Sequence, residues 1–142
     1  MKPKKEEYCR CLYFSANALA RAISRMAEDV FAGTGLHPSY AFLVMSINKY
    51  PGIPAGNLAE MMGLSPSTIT RLIEKLEKKN LAKRISEGKS TLIFPTPESV
   101  AMDDQVRAAW SDLFKRYTAV LGEPAARDLT DRVYIAALQL GS

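Results

Sequence analysis

Arg71 is the side chain in this 142-residue sequence best built to read another molecule by its edges. Its guanidinium is a planar fork of five donors, a geometry that grips guanine edges in a duplex. Ser67, Thr68 and Thr70 lie within one helical turn of it, and Lys75 lies one turn beyond. Short hydroxyls and an ammonium around one fork suit phosphate and base edges. The chemistry they imply is binding, with no bond made or broken.

Residues that would carry other chemistry are sparse. His37 is the only histidine, so a Ser-His-Asp site would need it, and no nucleophile elbow stands nearby. Cys9, Cys11 and His37 lack a fourth ligand and any standard metal spacing. Gly88-Lys89-Ser90-Thr91 resembles the end of a phosphate loop, but Lys83 occupies the place of its first glycine. Gly33-Thr34-Gly35 fails as a dinucleotide fingerprint because Pro38 replaces the third glycine. No enzyme activity, cofactor or metal is expected.

The elements that must position Arg71 run from Leu58 to Leu76, LAEMMGLSPSTITRLIEKL. Ala59 allows one helix to pass close to the next, and Gly63 suits the helix end. Ser65 can cap the following helix, and Pro66 suits its first turn. Leu58, Met62, Leu64, Ile69, Leu72, Ile73 and Leu76 form the expected inward set. Ser67, Thr68, Thr70, Arg71 and Lys75 are left outside. This is the pattern of a helix-turn-helix, whose second helix enters the major groove.

Charge supports the same segment. Seven of the 19 basic and three of the 15 acidic residues lie between Ser65 and Ser90, so the net charge of +4 resides there and the remainder balances. A basic segment on a DNA-reading unit is what phosphate attraction requires. The longest uncharged apolar run, Ala41 to Ile47, is too short to span a bilayer. Glu6, Glu7 and Arg10 interrupt any signal core at the N-terminus. A cytoplasmic location without membrane attachment is expected.

Around this unit the periodicity predicts long helices. Leu12, Ala16, Leu19, Ile23, Met26 and Val30 give a heptad-like seam on a helix over Tyr8–Phe31. A second helix is expected over Ser39–Lys49, with Pro38 at its start. Pro54 opens the first helix of the motif, and Pro66 to Asn80 form the second. Leu81–Ile85 and Thr91–Phe94 read as strands around a turn at Ser86–Ser90, a β-hairpin wing. A single helix over Glu98–Leu121 and a last one from Pro124 to Leu140 follow. The fold class is mainly α with a small β-hairpin wing. Residues 1–35 form an N-terminal dimerisation helix, 36–97 a winged helix-turn-helix, and 98–142 C-terminal dimerisation helices. A homodimer on a pseudo-palindromic site is expected, because one helix-turn-helix rarely supplies enough specificity.

With these features the chain resembles the MarR family of transcriptional regulators, most specifically along LSPSTITRLIEKLEKKNLAKR, Leu64 to Arg84. The resemblance implies a homodimeric repressor or activator of transcription on double-stranded DNA, released by a small phenolic or anionic effector or by an oxidant. Ser65, Ser67, Thr68, Thr70 and Arg71 would face the major groove, and Lys75 a phosphate. Arg84 and Lys89 would flank the groove at the wing. The family's wing tip carries Asp-x-Arg, whereas this tip, Ser86-Glu87-Gly88-Lys89-Ser90, has no arginine. Lysine lacks arginine's preference for narrow minor grooves, so the wing is expected to touch phosphate only.

Two further sites follow. Tyr13, His37, Tyr40 and Trp110 are candidate liners of an effector pocket, or else core aromatics. Cys9, with Tyr13 one helical turn away, resembles the redox cysteine of the family's hydroperoxide-sensing branch. Its supporting tyrosines are replaced here by Ile23 and His37. Cys9 and Cys11, two apart on a helix, would diverge. A thiol-based peroxide sensor is thus one alternative, and a winged-helix protein-interaction module without specific DNA binding is the other.

Overall fold

The computed structural model describes residues 1–141. They form two compact units, residues 31–109 and residues 1–30 with 110–141. Seven helices and three strands follow one another as α1 (Leu12–Phe31), α2 (Pro38–Lys49), β1 (Ile53–Pro54), α3 (Ala55–Met62), α4 (Pro66–Lys78), β2 (Lys83–Glu87), β3 (Ser90–Phe94), α5 (Pro97–Ala101), α6 (Asp103–Leu121) and α7 (Glu123–Gly141).

The unit of residues 31–109 is built around α2, whose Ala41, Leu43, Val44 and Ile47 are fully buried. His37 caps this helix, its Nδ1 accepting from the Ser39 amide at 3.3 Å, and Pro38 occupies the first turn. The chain then turns through Gly52, which takes φ +84°. A Cβ there would meet the Phe94 ring at 3.2 Å, so both backbone angle and space favour glycine. The turn delivers β1, which pairs antiparallel with β3 and makes a three-stranded sheet of order β1-β3-β2. Sequence reasoning missed β1 because two residues ending in proline carry no periodicity; proline is tolerated here because β1 is an edge strand.

Other departures have local causes. The first helix begins at Leu12, four residues later than expected, so Cys9 sits in the preceding turn and Cys11 immediately before the helix, whose first turn its carbonyl caps. The expected helix over Glu98–Leu121 is two, broken at Met102. The short α5 has its own capping box, Thr96 with Ser99, and α6 restarts with Asp103 and Asp104 in its first turn, where carboxylates favour a helix N-terminus. β2 starts at Lys83, two residues later than expected, and the buried Leu81 and Ala82 precede it.

The unit of residues 1–30 and 110–141 contains nearly all of α1, most of α6, and α7. Arg116 of α6 donates to Asp29 of α1 at 2.6 Å. The Arg127 guanidinium of α7 lies over the Phe114 ring at 5.1 Å. Between the three helices runs an apolar cleft of about 440 Å³, lined by Leu19, Ile23, Tyr117, Leu121, Leu129 and Val133 among others. No single helix among the described residues is long and apolar enough to cross a membrane.

Candidate nucleic-acid interface

The interface is assembled from the end of α3 onward. Gly63 closes α3 in the left-handed region at φ +65°, and Leu64 N donates back to Ala59 O at 3.0 Å. The reversal brings Ala59, fully enclosed, under the next helix. Ser65 then caps α4, its Oγ accepting from Thr68 N at 3.3 Å and donating to Thr68 Oγ1 at 2.9 Å. Pro66 takes the first turn. Every one of these roles was legible from residue type.

On α4 the inner side is closed: Ile69, Ile73 and Leu76 are fully buried, while Met62 and Leu72 are half-buried. Leu64 corrects the expected inward set. It is exposed, because it lies in the turn between the helices and not on either helix face. On the outer side Ser67, Thr70, Arg71 and Lys75 are exposed.

The hydroxyls do not share one task. Thr70 Oγ1 donates to Pro66 O at 3.0 Å, and Ser65 and Thr68 bond each other. Ser65 Oγ also lies 3.2 Å from Ser67 Oγ. These bonds set the start of the helix, so they hold the hydroxyl row in a fixed arrangement. Arg71 and Lys75 are exposed on the same helix.

α4 ends at Lys78, and just beyond it Asn80 adopts φ +58°; asparagine tolerates this region better than most residues. Leu81 N donates to Leu76 O at 2.8 Å and Thr96 Oγ1 to Asn80 O at 2.7 Å. This fixes where the wing leaves the helix. The hairpin closes through Gly88 and Lys89, with Glu87 opposite Ser90 and Gly88 at φ +61°. Lys83 and Lys89 are exposed on it. Arg84 instead pairs with Glu77 of α4 at 2.7 Å, with Glu74 at 3.8 Å. Sequence reasoning placed Arg84 beside the groove and missed both carboxylate partners. Their spacing from a later strand residue gives no signal in the sequence.

The remaining candidates fall in different surroundings. Tyr40 is half-buried, with the Lys79 ammonium 5.5 Å above its ring, and His37 is the α2 cap. Tyr13 and Trp110 belong to the unit of terminal helices and are exposed. Cys9 and Cys11 are exposed thiols with no disulfide. Among the described residues no three His, Cys, Asp or Glu side chains are grouped to hold a metal ion.

Comparison with known proteins agrees with this geometry. Residues 36–87, from just before α2 to the end of β2, match the sequence model of the MarR family. The chain is 26% identical over 115 residues to the HTH-type transcriptional repressor MdtR of Bacillus subtilis, covering 79% of this chain and 74% of that protein. Its fold matches a crystal structure of CouR from Rhodococcus jostii bound to p-coumaroyl-CoA, with a TM-score of 0.75 and 23% identity over 94% of this chain and 96% of that one. It also matches a point variant of MarR from E. coli in complex with operator DNA, with a TM-score of 0.80 and 14% identity over 94% and 99%.

Proposed function

We propose that the chain is a winged helix-turn-helix transcriptional regulator of the MarR family, whose sequence model matches residues 36–87, and that it reads DNA in the following way. It acts as a cytoplasmic repressor that binds a pseudo-palindromic operator as a homodimer and leaves it when a small phenolic or anionic effector binds. The observation that carries the reading is the two-sidedness of α4. Ile69, Ile73 and Leu76 are completely enclosed, and Ser67, Thr70, Arg71 and Lys75 are turned outward from a Ser65-capped start.

Arg71 supplies the base contact, since its fork can bond two acceptors on one guanine edge. Lys75 and the hydroxyls supply phosphate contacts, which fix register without carrying sequence information. Lys89 at the wing tip adds another phosphate contact. DNA binding resides in residues 36–97, and the helices in 1–35 and 98–142 serve dimerisation. Support for the second copy comes from α7 and the start of α1, where Leu12, Tyr134, Leu138 and Leu140 are all more than half exposed. Two copies set two recognition helices about 34 Å apart, one duplex turn.

Selection from a random duplex pool tests the reading. One enriched half-site, repeated with two-fold symmetry, is expected. Arg71→Ala should then weaken binding to that site by about 1–3 kcal/mol per base contact while leaving binding to unrelated duplex nearly unchanged. Failure to enrich any sequence at low salt would favour a protein-interaction module instead.

A further inference from the structure

Arg84 lies on the wing but faces away from the wing's outer surface. In the hairpin Lys83 is opposite Phe94, Arg84 opposite Ile93 and Ile85 opposite Leu92. Opposed residues share one face of a sheet, and neighbours along a strand alternate. Arg84 therefore shares the face of Ile93, which is completely buried, and Lys83 and Ile85 take the other face. On that inner side Arg84 Nε is 2.7 Å from Glu77 Oε1, and Nη1 is 3.8 Å from Glu74 Oε1. The Arg84 and Glu77 side chains are 35% and 30% exposed.

We propose that Arg84 is a positioning residue for DNA reading: it latches the wing hairpin to the recognition helix through Glu77, with Glu74 behind. The proposal rests on the DNA-binding reading above. Its physical basis is twofold. Glu74 and Glu77 lie on the helix that must approach a polyanion, and Arg84 offsets their charge. The same contact is a side-chain tie between α4 and β2, so it fixes where the hairpin tip holds Lys89 relative to Arg71. A guanidinium already engaged by two carboxylates contributes little net charge to a phosphate.

The latch makes a prediction of opposite sign to a direct contact. If Arg84 gripped DNA and Glu77 merely repelled it, Glu77→Gln would tighten operator binding. The latch requires Glu77→Gln to loosen it, by about two- to fivefold per protomer, the range spanned by partly exposed ion pairs. Glu77→Gln combined with Arg84→Ala should bind no worse than Arg84→Ala alone. Lys89→Ala should weaken the wild type yet add nothing to Arg84→Ala, an outcome that general destabilisation would not produce. Affinities are referred to the active fraction from stoichiometric titration, so a poorly folding variant does not mimic the effect. Glu77→Gln binding as tightly as wild type or tighter overturns the latch, as does an equal effect of Lys89→Ala in both backgrounds. The Glu77–Arg84 cycle is repeated on unfolding without DNA, where additive effects overturn the latch by themselves. A wild type that selects no operator would instead defeat the DNA-binding reading, and the unfolding cycle would still decide the latch.

Discussion

Nearly all the buried hydrophobic side chains belong to residues 31–109, whereas the unit of residues 1–30 and 110–141 buries only Ala27, Leu113 and Ala126 among the described residues. Yet the two have similar apolar periodicity. In α4 that periodicity ends in a sealed face, and in α7 the same kind of stripe leaves Leu129, Val133 and Leu140 exposed. Periodicity therefore specifies which face of a helix is apolar and says nothing of what covers it. The first region is closed by its own chain. The second leaves Leu12, Tyr134, Leu138 and Leu140 more than half exposed; exposed apolar patches mark interaction sites, which is the physical case for the proposed second copy.

The sharpest way to break this contrast is to place a charge where the single chain says it should not matter. Leu138 on α7 is exposed, and an exposed surface substitution ordinarily changes stability by about 0.5 kcal/mol or less. If a second copy covers it, Leu138→Asp buries an unpaired carboxylate in each protomer. A loss of several kcal/mol of dimer stability is then expected, with a shift to monomer in light scattering and loss of operator binding. A variant that remains dimeric and binds DNA normally would show that α7 is not covered by its own copy.

The closed region predicts the opposite sensitivity. Ile73 has no accessible surface to speak of and sits between α4 and the rest of its unit. Ile73→Ala should cost about 2–5 kcal/mol, from lost burial and the cavity left behind, read as a lower urea midpoint. Because Ile73 shares α4 with Arg71, operator affinity should fall as well. A loss below about 1 kcal/mol would mean that this core collapses around the deletion and is less tightly packed than its burial suggests.

The same contrast marks how far the sequence could be read. The helix-turn-helix was legible almost to the residue, because Ala59, Gly63, Ser65 and Pro66 act through local backbone chemistry that a residue type announces. The break at Met102 was not, since no glycine or proline marks it. Leu64 was misplaced for a related reason: helical spacing was carried through a turn where it does not apply. Arg84 shows the limit most clearly. Its type and basic neighbourhood point to phosphate, and only the hairpin register turns it toward Glu77. Contacts fixed by tertiary register leave no local trace.

The closed region also has a polar seal, and its contribution is the smallest of these effects. Asn48 of α2 donates from Nδ2 to Ser99 O and to Asp103 Oδ1, both at 3.0 Å. Arg107 Nε donates to Asp103 Oδ2 at 2.8 Å. Partial burial pushes the Asp103 carboxyl up, but the hydrogen bonds from Arg107 and Asn48, with the Arg107 charge, outweigh it and hold the group below its ordinary value of 3.8. The folded chain therefore binds this proton less readily than the unfolded one. The resulting stabilisation is complete above that ordinary value and is lost as pH falls through it toward the folded value. The group is partly exposed, so the contribution is about 1 kcal/mol or less. Asp103→Asn should lower stability by about that amount at neutral pH and flatten the acid limb of the stability curve, measured by urea unfolding between about pH 5 and 3. Parallel acid limbs in variant and wild type would place the acid sensitivity elsewhere and reduce the Asn48–Asp103–Arg107 cluster to simple packing.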